Sequence, residues 1–173
     1  QDFRSTTGSN PENSTLRLAD SVNLFETGAL ASGVSVNEAD YSVLALDAGF
    51  KYKGIFFQTE LYERRLGRFL ADGPLPVSEI VDRGFYVQAA FYPLPRVLEL
   101  YGVTSQIYGD KDAGFGNSNE YGVGMNWYPF ESRNHRLNLQ VLDVTRSPVS
   151  STFGYYTGGM DGIVAATSFS IFF

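Results

Sequence analysis

Few residues in this chain carry the chemistry of catalysis or metal binding. His135 is its one histidine, and cysteine is absent. A zinc site needs three or four N, S or O ligands, which one histidine without thiolates does not supply. No nucleophile motif surrounds His135, which falls beside an expected turn at 131–134. A solvated turn histidine is the plain reading. Asp110-Lys111-Asp112-Ala113-Gly114 sets two carboxylates two apart before a glycine, as a calcium loop begins. Asn117 and Glu120 lie near, but the later ligands are missing at the expected offsets, so a bare acidic loop is favoured. No enzyme, metal or cofactor is expected.

The other polar residues fall into a pattern. Lys51, Gln58, Glu60, Arg64, Tyr86, Gln88, Glu99, Arg136, Asn138 and Gln140 each occupy one parity of a stretch whose other parity is apolar. In Arg136-Leu137-Asn138-Leu139-Gln140-Val141 the two sets separate cleanly. In 120–128, Tyr121, Val123, Met125 and Trp127 oppose Glu120, Gly122, Gly124 and Asn126. Period-two alternation means a strand with two unlike faces. If the apolar face meets lipid, the polar set must line water, because unpaired charge in hydrocarbon costs about 2–4 kcal/mol.

The same pattern predicts strands at about 41–52, 55–65, 84–93, 97–108, 119–129, 135–146 and 162–173. Each is about 10–12 residues, enough to cross a bilayer when tilted and longer than the ~5–6 of soluble sheets. Short turns at 53–54, 93–96 and 131–134 alternate with longer segments at 66–83, 109–118 and 147–161. Outer-membrane barrels alternate short periplasmic turns with long surface loops. The reading is an all-β, antiparallel transmembrane β-barrel over 41–173.

Residues 1–40 are expected to be a surface loop or one more strand, in which Leu16, Leu18, Val22 and Leu24 would take part. Gln1-Asp2-Phe3-Arg4 does not read as a signal peptide, so either a leader is removed or the chain starts within a longer protein.

Composition agrees. The chain has 173 residues, 18 glycines, 14 phenylalanines and 11 tyrosines, which favours strands and turns. A net charge of −6 argues against nucleic acid. No apolar run reaches the ~18–20 residues of a transmembrane helix, and near-neutral mean hydropathy suits barrel strands with unlike faces. The last stretch sets Phe169, Ile171 and Phe173 on one parity, with the aromatic at the end. This ending resembles the C-terminal signal read by the outer-membrane barrel assembly machinery. A terminal Phe-Phe on a soluble edge strand would invite aggregation.

Several segments resemble the phosphate-selective porin O/P-like family, especially its C-terminal half. They are Leu46-Asp47-Ala48-Gly49-Phe50-Lys51-Tyr52-Lys53-Gly54, Gly84-Phe85-Tyr86-Val87-Gln88-Ala89, Leu98-Glu99-Leu100-Tyr101 and Asn119-Glu120-Tyr121-Gly122-Val123-Gly124-Met125-Asn126-Trp127-Tyr128. The resemblance implies a barrel of about sixteen or more strands, commonly a homotrimer, with a water-filled lumen. This chain would supply the last seven or eight strands, and an N-terminal part of the barrel would come from elsewhere. It departs from phosphate-specific members in strand 97–108, where Val103 and Ser105 hold inward parity and no arginine occurs.

The expected function is passive diffusion of small hydrophilic solutes or anions through a bacterial outer membrane, with the C-terminus periplasmic. The alternatives are a structural or adhesive barrel with a plugged lumen, and a soluble β-barrel or sandwich binder. Seven strands cannot close a standard barrel, whereas a strand at 14–25 would give eight. Gly122 and Gly124 would fill a narrow interior poorly, which favours a fragment of a larger porin.

Overall fold

A computed structural model describes residues 2–4, 16–132, 134–147 and 161–172. Its strands are β1 (Asp2–Arg4), β2 (Val36–Tyr52), β3 (Ile55–Ala71), β4 (Glu79–Leu94), β5 (Leu98–Tyr108), β6 (Ser118–Trp127), β7 (His135–Thr145) and β8 (Gly162–Ile171). They form one antiparallel meander in chain order, β1 to β8. β1 and β8 are its two ends and do not pair with each other, so the sheet is not closed.

Turn chemistry sets the tight end of the meander. Lys53 (φ 44) and Gly54 (φ 83) both have positive φ between the paired Tyr52 and Ile55. A two-residue turn of this kind matches the twist of the flanking strands, and glycine takes its φ without strain. Pro93 supplies no N–H, and the β4–β5 register slips between Phe91 and Leu94 before Arg96 (φ 66) turns the chain. A 3₁₀ turn, Pro129–Glu131, follows β6.

The other end differs from expectation. The segment anticipated as a long loop at 66–83 shrinks to 72–78, because β3 runs on to Ala71 and β4 starts at Glu79. β2 likewise begins at Val36 and not at 41. The β5–β6 loop spans 109–117. Of the expected loop 147–161, residues 148–160 lie outside those described, as does Phe173.

Residues 16–35 are not a spanning strand. They form turns closed by a bridge between Arg17 and Asn23, with Leu18 N–H donating to Val22 O (2.9 Å) and Leu24 N–H to Leu16 O (2.9 Å). The alternation of Leu18 and Leu24 is real, but it serves a small core. Both are buried against Val36, Ala39, Leu66 and Ile80 of the sheet and Phe115 of the β5–β6 loop. This cluster sits at the loop end, over the face of Leu66 and Ile80, which are direct partners.

Register carries one apolar face across seven strands. One row reads Phe57, Ala89, Gly102, Val123, Val141, Ala165 and the next Ile55, Phe91, Leu100, Met125, Leu139, Thr167. These side chains are largely exposed: Val123 is 67% open and Leu46 64%. A continuous apolar surface of this extent on a soluble protein would drive association. The band is bounded. Tyr52 and Trp127 mark the turn end, and Lys53 Nζ sits 5.1 Å from the Tyr52 ring centre. Tyr108 and Tyr121 mark the loop end, joined through Gln106 by hydrogen bonds of 2.8 and 2.7 Å. From Tyr108 outward the same face turns charged: Arg83, the direct partner of Tyr108, and Arg65 both bind Glu63 (2.8 and 2.6 Å). Tyr121 and Trp127 lie six positions apart, about 20 Å along the strand. Aromatic girdles with charge outside them are what two membrane interfaces select.

Candidate functional site

The opposite face is polar, and the register sorts it into rows. All ten residues expected to line water fall on it. From the loop end the rows read Arg64 and Asp82; then Tyr62 and Gly84; then Asp47, Glu60, Tyr86, Ser105 and Glu120. Gln58, Gln88, Val103 and Gly122 follow, then Lys51, Tyr101, Gly124 and Gln140. Glu99, Asn126, Asn138 and Ser168 come next, and Arg136 with Ser170 closes the turn end.

At the turn end the side chains form one hydrogen-bonded chain. Tyr101 Oη donates to Gln140 Oε1 (3.1 Å) and accepts from Asn138 Nδ2 (2.7 Å). Asn138 also reaches Asn126 Oδ1 (2.9 Å), and Asn126 Nδ2 donates to Glu99 Oε2 (3.0 Å). Tyr128 Oη donates to the same oxygen (2.9 Å). Glu99 is 8% exposed and takes neutral donors. Burial, then the bond to Glu99, keeps the Tyr128 hydroxyl protonated well above the usual tyrosine range. Such a network restricts the rotamers of the wall.

Glycines let rings lie flat along this face. A Cβ on Gly124 would meet the Tyr101 ring, and one on Gly84 the Tyr62 ring. Leu142 and Val103 likewise close over Gly122. The space at Gly122 and Gly124 is therefore filled by side chains of neighbouring strands, so these glycines do not mark gaps that argue for a wide interior. The cross-strand ring covers the glycine as aromatic residues do in sheets that need close packing.

At the loop end the polar face is fastened to the 16–35 segment. Arg64 Nε donates to Asp82 Oδ2 (3.0 Å), and its Nη2 contacts the same oxygen. Arg64 Nη1 donates to Arg17 O (2.6 Å). Asp82 Oδ1 accepts from the Asp110 N–H (3.2 Å). Sequence reasoning placed Arg64 on this face but left Asp82 in a loop; strand register, which pairs the two, was the missing signal.

The remaining candidates have local roles. Asp110 Oδ1 accepts from the N–H of Asp112 (2.9 Å) and Ala113 (3.2 Å), and Oδ2 from that of Val81 (2.8 Å). Its carboxylate caps its own loop and ties it to β4, while Asp112 is exposed. Among the described residues, no group of three or more His, Cys, Asp or Glu is placed to hold a metal. His135 opens β7 with its ring edge-on to Phe130, 6.0 Å between centres. Phe169 and Ile171 lie exposed on the apolar face.

A polar, hydrogen-bonded face set back to back with a largely apolar one suits a barrel wall in lipid. Comparison with known proteins agrees. The family profile for phosphate-selective porins O and P matches residues 13–154. No curated protein and no solved structure matches the chain. A match over most of the chain, on a sheet of this kind, places it among bacterial outer-membrane porins of the β-barrel type: the chain belongs to the phosphate-selective porin O and P family.

Proposed function

We propose that this chain forms part of the wall of a water-filled channel that passes small hydrophilic solutes down their gradient. The observation that carries this reading is the separation of a polar-rich face from a largely apolar one through seven paired strands. The two end strands leave unpaired backbone groups, which lipid does not satisfy, so further strands of the same barrel complete the wall. Gln58, Gln88, Tyr101, Asn138 and Gln140 present water-like partners to a passing solute, and nothing in this reading calls for catalysis. The 16–35 segment, packed on the polar face, narrows the pore at its loop end. A homotrimer, and assembly machinery that reads Phe169, Ile171 and Phe173, belong to the same proposal.

Conductance tests it. The full-length protein in planar bilayers should give stepwise channel openings without added cofactor. Silence across preparations that are folded and inserted would favour the rival, a structural or adhesive barrel plugged by its loops.

Orientation follows from the loops. With the C-terminus periplasmic, β8 runs inward from the cell surface and the 109–117 loop faces outside. Protease added to intact cells should cut near Asp112 and spare Asn134. Cleavage at Asn134 with Asp112 protected would invert this topology.

A further inference from the structure

Three chemically different zones follow one another down the outer face of β4 and β5. The first is cationic. Arg83 and Tyr108 are direct cross-strand partners, so this guanidinium stands in the row of the tyrosine that marks the loop end of the apolar band. Arg65, one row further out beside Val81, shares Glu63 with it. Arg83 uses only Nε in that bond, and among the described residues its two Nη groups have no protein acceptor. Its side chain is 67% exposed. The other charges nearby engage one another: Arg68 pairs with Asp40, and Glu79 lies 3.9 Å from Arg65.

The second zone is polar and neutral. Gln106, the next residue inward from Tyr108 on this face, accepts from the Tyr108 hydroxyl (2.8 Å) and donates to that of Tyr121 (2.7 Å). The third is an apolar groove of about 930 Å³ lined by Ala89, Phe91, Leu100, Gly102, Val123 and Met125, within the ~300–1,000 Å³ range of ligand sites. A second hollow, over Val87, Thr104 and Tyr121, carries it up to the polar zone. Val87 lies four positions from Arg83, about 13 Å along the strand. A membrane lipid presents phosphate, polar linkage and alkyl chain in this same order.

We propose that the outer face of β3–β6 seats one phosphorylated glycolipid of the outer leaflet, its phosphate on Arg83 and Arg65 and its acyl chains in the groove below. The inference rests on the membrane-wall reading and the outward-facing loop end proposed above, and it concerns the lipid side of the wall, not the pore. These four strands are each paired on both edges, so the seat is whole within this chain. Guanidinium matches phosphate through paired N–H donors, and Arg83 has its terminal pair open. Glu63 holds both arginines over the face before the lipid arrives, which lowers the cost of ordering them.

Native mass spectrometry of the full-length protein in detergent, titrated with bisphosphorylated lipid A, tests it. The wild type should retain one lipid A per chain. The double variant Arg65→Gln, Arg83→Gln should hold it about ten-fold or more weakly, the loss of charge-assisted hydrogen bonds to one phosphate. Gly102→Leu fills the groove with both arginines intact and should also weaken retention; a Cβ there meets Gly122 O at an ordinary 3.8 Å, so the sheet accepts it. Dephosphorylated lipid A should bind the wild type as poorly as lipid A binds the double variant, and inorganic phosphate should not displace the bound lipid. Heat-modifiable mobility shows which variants are folded. Retention unchanged in either folded variant, equal binding of the two forms of lipid A, or full displacement by inorganic phosphate overturns the proposal. A full-length protein that never inserts into vesicles would strike the membrane-wall reading instead.

Discussion

Asp82→Ala should loosen the 16–35 segment on the wall while leaving the sheet folded. Asp82 is 1% exposed, and its two oxygens hold Arg64 on β3 and the Asp110 N–H of the β5–β6 loop. Arg64 in turn holds Arg17 O, so one carboxylate ties together two strands, a loop and the inward-packed segment. Removing one partner of a buried ion pair costs about 3–5 kcal/mol, because the remaining charge loses its compensation. The Arg64 side chain is 19% exposed and can swing toward water, which puts the cost near the lower bound. Burial of Leu18 and Leu24, about 1.5–3 kcal/mol each, opposes full release, so the segment loosens and opens transiently. Trypsin should then cut at Arg17 many times faster than in the wild type, and in the proposed pore single-channel conductance should rise. The heat-modifiable mobility of the folded barrel should persist. If Arg17 stays as protected in Asp82→Ala as in the wild type, the carboxylate does not latch the segment.

How much of this was legible in the sequence depends on what each signal measures. Alternation reports the two faces, and it placed Lys51, Gln58, Glu60, Arg64, Tyr86, Gln88, Glu99, Arg136, Asn138 and Gln140 on one side correctly. It fails where the outer face stops being apolar. Arg83 holds the same parity as Phe85 and pairs with Glu63 and Tyr108, yet it reads as loop in the sequence while strand pairing continues out to Glu79. Leu16, Leu18, Val22 and Leu24 show the reverse error. They alternate as a strand would, yet bury two leucines against the sheet through a bridged turn. Local pattern cannot name the surface that a segment meets.

Register is the property that sequence conceals most. Asp47 and Glu120 are isolated acids when read along the chain. Only the successive pairing of β2 through β6 aligns them with Glu60 in one row. The same holds for Gly84 and Gly124: what covers them is a ring from the next strand, set by register and invisible in composition.

Val123→Arg should impair folding into lipid far more than Gln140→Arg, although the two sites lie on neighbouring strands. Val123 is on the apolar face, two residues from Tyr121 and four from Trp127, thus within the girdled band. A guanidinium there meets hydrocarbon, at about 2–4 kcal/mol near the midplane of a barrel wall. Gln140 is on the polar face beside Tyr101 and Asn138, where an added charge meets water and hydrogen-bond acceptors. Loss of the Tyr101 bond costs about 1 kcal/mol. Urea titration of refolding into vesicles should separate the two variants by about 2 kcal/mol, with Val123→Arg the weaker. In a water-soluble sheet the order would invert, because an exposed Val123→Arg would gain solvation, whereas Gln140→Arg would break a hydrogen-bonded network. Equal stability, or the inverted order, would mean that this face does not meet lipid.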